Sequence, residues 1–267
     1  MTHRRRVAIV GCSRGIGRTL ATHLASEEMG LVLFDIQPEV EAFAKRLRES
    51  GCDADFQRLD VTAPESHRSA FDEAMAGRDL DGLVYLVRGR ESAPVLEFEP
   101  ASWDRDFALS VRGAFFSTQA AAPHLARSES SPGVVYVSSV LSDLVVLDES
   151  ISYHASKAAL EQVTRYLAVS LGSQGLRVNA VQPGFIVQDE HRDRYARADN
   201  ARYRRLTEAA HPLPTVGTAL DVCHACAFLL SPEARFITGQ VLRVDGGSGL
   251  LEQTWLLRAF TQEEQRG

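Results

Sequence analysis

Lysine is almost missing from this chain. Of 29 basic residues only Lys45 and Lys157 are lysines, and the other 27 are arginines. Where arginine meets nearly every need for positive charge, a retained lysine supports a use for a compact ammonium rather than a planar guanidinium. Cysteine is scarce as well. Cys12, Cys52, Cys223 and Cys226 do not form the pattern of a disulfide framework. Cys223-His224-Ala225-Cys226 has CxxC spacing, but no second pair completes a zinc set, and Phe228, Leu229 and Leu230 continue an apolar helical pattern there. The cysteines read as core residues, and no metal site is expected.

No apolar run approaches the roughly 20 residues needed to cross a bilayer. Met1 to Arg6 is polar and leads into Val7–Val10, which is too short for the hydrophobic region of a signal peptide. The expectation is a cytoplasmic protein with no membrane partner. An excess of positive charge is also lacking: 35 acidic residues give a net charge of −6. Without a basic face no nucleic-acid partner is expected, and Arg4-Arg5-Arg6 reads as a solvated terminus. No Pro/Gly/Ser-rich linker and no internal repeat interrupts the 267 residues, so one large domain is expected.

What the chain does have is alternation. Val7–Val10, Leu31–Asp35, Asp55–Leu59, Leu83–Val87, Val134–Ser138, Arg177–Val181 and Val241–Val244 read as strands. Helical patterns lie between them, near 15–28, 38–50, 64–76, 101–127, 152–173 and 218–230. The strand runs are apolar on both faces, as a parallel sheet covered by helices requires. Right-handed crossovers then give an α/β, Rossmann-type doubly wound parallel sheet. Residues 185–212 break the rhythm. They are polar and Arg-rich, and they read as one or two lid helices over a substrate site. The tail carries Leu250, Leu251, Trp255, Leu256, Leu257 and Phe260, too much apolar surface to stay exposed. The organisation expected is a single domain over 1–249, with the lid at about 185–212. The extension 250–267 then packs on that domain or on a partner subunit, and its last residues, from about Gln262, fray.

Val7–Val10 runs into Gly11-Cys12-Ser13-Arg14-Gly15-Ile16-Gly17 and then a helix. Glycines permit the tight turn and the close approach of backbone to a pyrophosphate, which the helix N-terminus attracts. Asp35, at the end of the second strand, can accept both ribose hydroxyls of an adenosine and would repel a 2′-phosphate. Arg14, beside the second glycine, pulls the other way, since in the family that this turn resembles a basic residue there often accompanies NADP. Like charge at Asp35 is the stronger discriminator, so NAD(H) is favoured over NADP(H). Farther on, Tyr153 and Lys157 stand four apart on a helical pattern and share one face. An ammonium beside a phenol favours phenolate and lowers its pKa from about 10, so the pair can act as acid or base closer to neutrality.

The Gly-x-x-x-Gly-x-Gly spacing and the Tyr-x-x-x-Lys pair resemble the short-chain dehydrogenase/reductase family, whose first strand ends in Thr-Gly-x-x-x-Gly-Ile-Gly. Val10 replaces that threonine. The likeness runs from about Val7 to Gly247 and includes Asn179-Ala180-Val181-Gln182-Pro183-Gly184, Ile237-Thr238-Gly239 and Val244-Asp245-Gly246-Gly247. It implies an NAD(P)-dependent oxidoreductase of small carbonyl or secondary-alcohol substrates, with cofactor contacts at Gly11, Ser13, Arg14, Gly15, Ile16 and Gly17. Asp60 and Val61 would hold the adenine, and the backbone after Pro183-Gly184, with Ile186, would meet the nicotinamide carboxamide. Ser139, 14 positions before Tyr153 and one more than the family spacing, would orient the substrate oxygen. Tyr153 would donate the proton, while Lys157 would tune it and hold the ribose. A homodimer or homotetramer through the helices near 101–127 and 152–173 is also implied.

Two departures stand out. Tyr85-Leu86-Val87-Arg88 replaces the family's Asn-Asn-Ala-Gly, which brings a large cation near the nicotinamide ribose or the substrate mouth, where it could pair with a cofactor phosphate or a substrate anion or point to solvent. Ser110 replaces a catalytic Asn that helps hold a water linking the lysine to solvent. These departures keep two rivals open: a protein of this fold that binds nucleotide or a partner without redox turnover, and a lyase or isomerase on the same scaffold. The arginines of 192–205 make an anionic or carrier-linked substrate an option, beside a solvated helix face.

Overall fold

The computed structural model describes residues 4–89 and 93–266, apart from the side chains of 263–266. Met1–His3 of the expected solvated terminus and Gly267 lie outside the described residues. Seven strands form the main sheet: β1 Arg6–Val10, β2 Gly30–Asp35, β3 Ala54–Arg58, β4 Gly82–Tyr85, β5 Gly133–Val137, β6 Arg177–Pro183 and β9 Val241–Val244. They lie in the order β3-β2-β1-β4-β5-β6-β9, and every pairing is parallel. A small parallel pair, β7 Ile186–Val187 with β8 Gly217–Thr218, stands apart.

The period-2 geometry of a strand explains the two cores. On β1, Ala8 and Val10 enter one layer with Phe71, Ala121 and Leu160, whereas Val7 and Ile9 enter the other with Leu20, Phe43 and Val222. The first layer is closed by α3 His67–Met75, α5 Gly113–Leu125 and α6 Ile151–Gly172. The second is closed by α1 Gly15–Ser26, α2 Glu39–Glu49 and α9 Ala219–Leu230. Cys223 and Cys226 are buried on α9, where burial pushes both thiols up. Among the described residues no His/Cys/Asp/Glu group could hold a metal ion, and no helix is long and apolar enough to cross a membrane.

Several expected boundaries move. β4 ends at Tyr85 rather than Val87, so Leu86–Gly89 leaves the sheet as a loop. β6 continues through Pro183. The helix expected over 101–127 is broken into α4 Pro100–Phe107, a π turn Ala108–Arg112 and α5. Tyr85 supplies the reason. Its buried phenol donates to the Leu109 carbonyl, and the helix backbone passes it at Gly113, where a Cβ would collide with the hydroxyl. A donor that takes an interior carbonyl widens the helical ladder locally.

Of the arginines at the start Arg4 is exposed, but Arg5 and Arg6 are not solvated. Arg6 opens β1 and pairs with Asp53 at 2.5 Å, and Arg5 donates to the Leu230 carbonyl at 2.6 Å. Between β7 and β8 lie the short α7 Arg192–Ala196 and α8 Ala201–Ala209. The final helix, α10 Gln253–Arg266, packs against α8 and continues past Gln262, where fraying was expected. Leu256 turns inward, while Leu250, Trp255 and Leu257 stay exposed.

Candidate active site

The strand order reverses between β1 and β4, which opens a crevice at the carboxyl ends of the strands. A cavity of about 1330 Å³ fills it, beyond the size of an ordinary small-ligand pocket and roomy enough for a dinucleotide with a substrate. Its floor comes from the ends of β1, β2, β4, β5 and β6, with Val10, Phe34, Leu86, Val137 and Pro183 on the wall. Its roof includes Gln188 and Thr207 of the 185–212 segment and Leu251, Gln253 and Leu256 of the tail.

One end is built for phosphate. Gly11 and Gly15 adopt φ of +91° and +55°, which side-chain-bearing residues resist. A Cβ on Gly17 would collide with the Gly11 carbonyl, so the helix start lies tight on the turn. Arg14, the residue before α1, offers no side-chain cap, which leaves the first N–H groups of the helix for a ligand. Gly11, Ser13, Arg14, Gly15, Ile16 and Gly17 all line the cavity. Asp35 is buried beside them, and one of its oxygens accepts from Cys12 N at 2.8 Å and Ser13 N at 2.9 Å. The other accepts only Gln37 N, at 3.0 Å, and so keeps acceptor capacity for a hydroxyl. Arg14 is exposed at the rim. Asp60 and Val61 line the wall beyond β3, and the Thr62 hydroxyl and N–H hold the Asp60 carboxyl below its usual range. These groups fit a dinucleotide.

The other end is built for proton transfer. Ser150 caps α6 by accepting from Tyr153 N at 3.1 Å, which sets Tyr153 in the first helical turn. Asp106 on α4 accepts from Ser152 and, at 3.4 Å, from Ser150, and so fastens that helix start. Lys157 follows one turn later. Its Nζ donates to the Val137 carbonyl at 2.7 Å and lies 5.6 Å from the centre of the Tyr153 ring. Ser139, two residues past β5, caps the turn Val140–Ser142, its Oγ accepting from Leu141 N at 3.2 Å. Ser139, Tyr153, Lys157, Pro183, Gly184 and Ile186 line the same cavity as the glycine turn.

The electrostatics differ from the expectation. The Tyr153 phenol is raised, not lowered: burial dominates, and the Arg88 charge and polar interactions with Ser139 only partly offset it. Lys157 is itself driven down to about 7, chiefly by burial and then by repulsion from Arg88, with Glu161 acting the other way. A buried ammonium that is costly to keep charged is a weak tuner of its neighbour. The nearer modulator is Arg88, whose guanidinium carbon lies 5.0 Å from the Tyr153 ring centre and whose counter-ion is Glu149 at 3.8 Å.

Ser110 is not brought to the cavity. It is fully buried in the π turn, and its hydroxyl has no hydrogen-bond partner among the described residues. Three carboxylates were not singled out from sequence: Asp106 and Glu149, which line the cavity, and Glu161. Glu161 is buried one turn beyond Lys157 and accepts from Ser138 at 2.8 Å, Ser142 at 2.6 Å and Gln182 at 3.0 Å. The Lys-x-x-x-Glu spacing on an otherwise apolar helix face was the available signal. Asp106 and Glu149 carried none, because their roles depend on chain segments distant from them in sequence.

A parallel doubly wound sheet whose crevice joins a phosphate turn to a buried Tyr–Lys pair defines a dinucleotide-dependent oxidoreductase. A family model described as enoyl-(acyl carrier protein) reductase matches residues 11–249. The cis-4-hydroxycyclohexanecarboxylate dehydrogenase of Sinomonas cyclohexanicum is 34% identical over 252 residues, covering 91% of this chain and 96% of that protein. The 3-oxoacyl-[acyl-carrier-protein] reductase of Staphylococcus aureus is 30% identical, covering 90% and 96%. A gluconate 5-dehydrogenase from Burkholderia cenocepacia, solved with NADP and tartrate, superposes with a TM-score of 0.82 at 30% identity, covering 93% and 96%. The chain belongs to the short-chain dehydrogenase/reductase family. It is an NAD(P)-dependent oxidoreductase that interconverts a carbonyl and a secondary alcohol by hydride transfer.

Proposed function

We propose that Tyr153 is the general acid and base, that Ser139 holds the substrate oxygen, and that Lys157 anchors the cofactor side of the site. The observation that carries this is the convergence of all three side chains with the glycine turn on one cavity. When bound, the nicotinamide supplies or accepts the hydride. In reduction the Tyr153 hydroxyl gives its proton to the developing alkoxide, while the Ser139 hydroxyl donates a hydrogen bond to the same oxygen. In oxidation the phenolate takes the alcohol proton. Lys157, fixed by Val137, presents an ammonium or amine donor at a set position below Tyr153. Gly11 to Gly17, Asp60, Val61, Pro183, Gly184 and Ile186 form the remaining cofactor surface. Ser110 serves packing.

The cofactor reading is NAD(H) over NADP(H). It is supported by the buried Asp35, whose oxygen with spare acceptor capacity suits a ribose hydroxyl and whose charge opposes a phosphate. The substrate reading is a small anion. It is supported by Arg88 in the cavity and by the carboxylate named in the Sinomonas relative. The domain runs over 1–249 with the lid at 185–212, and 250–267 is an extension that roofs the site. A homodimer or homotetramer is supported by the exposed Tyr166, Val169 and Phe236, which another copy would cover. Four free, buried cysteines suit a reducing cytoplasm.

The test is Tyr153→Phe, assayed with NADH and NADPH against a panel of ketones. Turnover should vanish while nicotinamide fluorescence still titrates with near-native affinity. Near-native turnover by that variant removes the mechanism.

A further inference from the structure

We propose that Arg88 is the recognition point for a carboxylate on the substrate, so that this enzyme acts on hydroxy- and oxo-acids with an apolar body. The inference rests on the hydride-transfer reading above and names the substrate class of that site. The reaction itself is unchanged. The carbinol C–H bond breaks to give the hydride to the nicotinamide, the O–H proton goes to Tyr153, and the carboxylate passes through intact.

Arg88 lies on the loop that leaves the sheet after β4, and it reaches back over the Tyr153 ring at 5.0 Å. An anion held there lies beside the phenol that exchanges the proton. Glu149 does not saturate the guanidinium. At 3.8 Å it lies beyond hydrogen-bond distance, and both side chains are partly exposed, at 29% and 37%. A loose, half-exposed pair of this kind is worth little and is easily exchanged for a better partner. A carboxylate that meets the planar fork with two parallel hydrogen bonds is that partner. The surroundings favour it further. The Arg88 guanidinium and the Lys157 ammonium both lie over the Tyr153 ring, at 5.0 and 5.6 Å from its centre, so a ligand anion near both relieves the repulsion that adds to burial in lowering the lysine.

The rest of the cavity selects the body. Leu144, Val145 and Val146 stand 41%, 77% and 42% exposed on its wall, with Leu141, Leu251 and Leu256 also lining it. Apolar side chains bared on a cavity wall gain by covering hydrocarbon rather than water. A polyol would leave its hydroxyls unpaired against that wall. The combination of one cation beside the general acid and an aliphatic lining therefore fits a carboxylic acid on a short hydrocarbon or ring.

The experiment uses the full chain loaded with whichever of NADH and NADPH binds. Cyclohexanecarboxylate and cyclohexanecarboxamide, alike in shape and different in charge, are titrated in while nicotinamide fluorescence is followed. The wild type should bind the acid at least about tenfold more tightly than the amide. Arg88→Met should erase that preference and leave reduced-cofactor affinity unchanged, and Arg88→Lys should keep part of it. Equal binding of acid and amide, or no binding of the acid, overturns the proposal. So does an Arg88→Met variant whose cofactor affinity falls as far as its acid affinity, since Arg88 would then serve the dinucleotide. The mechanism beneath is separated by Tyr153→Phe: if that variant still turns over, the proton-transfer reading fails while the acid preference stands.

Discussion

Replacing Glu161 should loosen the active-site floor before it touches any reacting group. One oxygen of this buried carboxylate gathers Ser138 at 2.8 Å, Ser142 at 2.6 Å and Gln182 at 3.0 Å. Those donors belong to the end of β5, the turn that follows Ser139, and β6. Each keeps a second acceptor: Ser138 has the Lys157 carbonyl at 3.4 Å, Ser142 has the Ser139 carbonyl at 2.8 Å, and Gln182 has Asp143 at 3.0 Å. Hydrogen bonds to a charged group contribute about 1.5–3 kcal/mol apiece, but the alternates recover much of that. A net loss of about 3 kcal/mol for Glu161→Ala lowers the melting temperature by roughly 6–12 °C at about 2–4 °C per kcal/mol for a chain of this size. Glu161→Gln keeps an acceptor oxygen in place and should cost about a third as much. Scanning calorimetry on both variants decides it. Glu161→Ala melting within a degree of wild type refutes the reasoning, as does Glu161→Gln melting as low as the alanine variant.

Gly17→Ala places a Cβ against the Gly11 carbonyl and 3.0 Å from the Cys12 Cα. Overpacking against backbone costs about 1–3 kcal/mol, and reduced-cofactor affinity, read by fluorescence titration, should fall by more than about tenfold; retained affinity contradicts the tight turn. Asp35→Asn removes the charge that opposes a 2′-phosphate. The ratio of kcat/KM for NADH over NADPH should fall by at least about tenfold, and an unchanged ratio removes Asp35 as the discriminator.

Much of this fold was legible because parallel strands covered on both faces write continuous apolar runs. Val7–Val10 and Val134–Val137 are of this kind, and each lies within about one residue of its strand. The glycine turn was legible for the same reason: its φ values and close approaches are local demands on residue type. What could not be read was whatever depends on a distant partner. The break between α4 and α5 is imposed by Tyr85, 24 positions from the carbonyl it takes. Asp106 meets Ser150 and Ser152 across more than 40 positions, and no periodicity signals that. Arg6, the first residue of β1, meets Asp53 across 47 positions, and no local pattern separates that from a solvated tail. The four-residue spacing put Tyr153 and Lys157 on one helix face, and both line the cavity, but the direction of the phenol's shift was not legible, because burial outweighs the neighbouring charge.

That electrostatic balance fixes how the two reaction directions respond to pH. Burial holds the Tyr153 phenol above its ordinary value of 10, with Arg88 and Ser139 offsetting part of the rise. Burial and the Arg88 charge hold Lys157 down to about 7, so above neutrality it brings little positive charge to the site. Tyr153 therefore stays protonated across the neutral range, which suits the acid role. Carbonyl reduction should be nearly flat with pH from about 6 to 9. Alcohol oxidation needs the phenolate, whose population grows about tenfold per pH unit below the phenol's pKa. Its kcat/KM should climb through the alkaline range without levelling below about pH 10. Initial rates in both directions, measured with the full chain over that range, check this. An oxidation rate that levels by about pH 8 means the phenol is tuned below its ordinary value after all, and the dominance of burial over the Arg88 charge is then wrong.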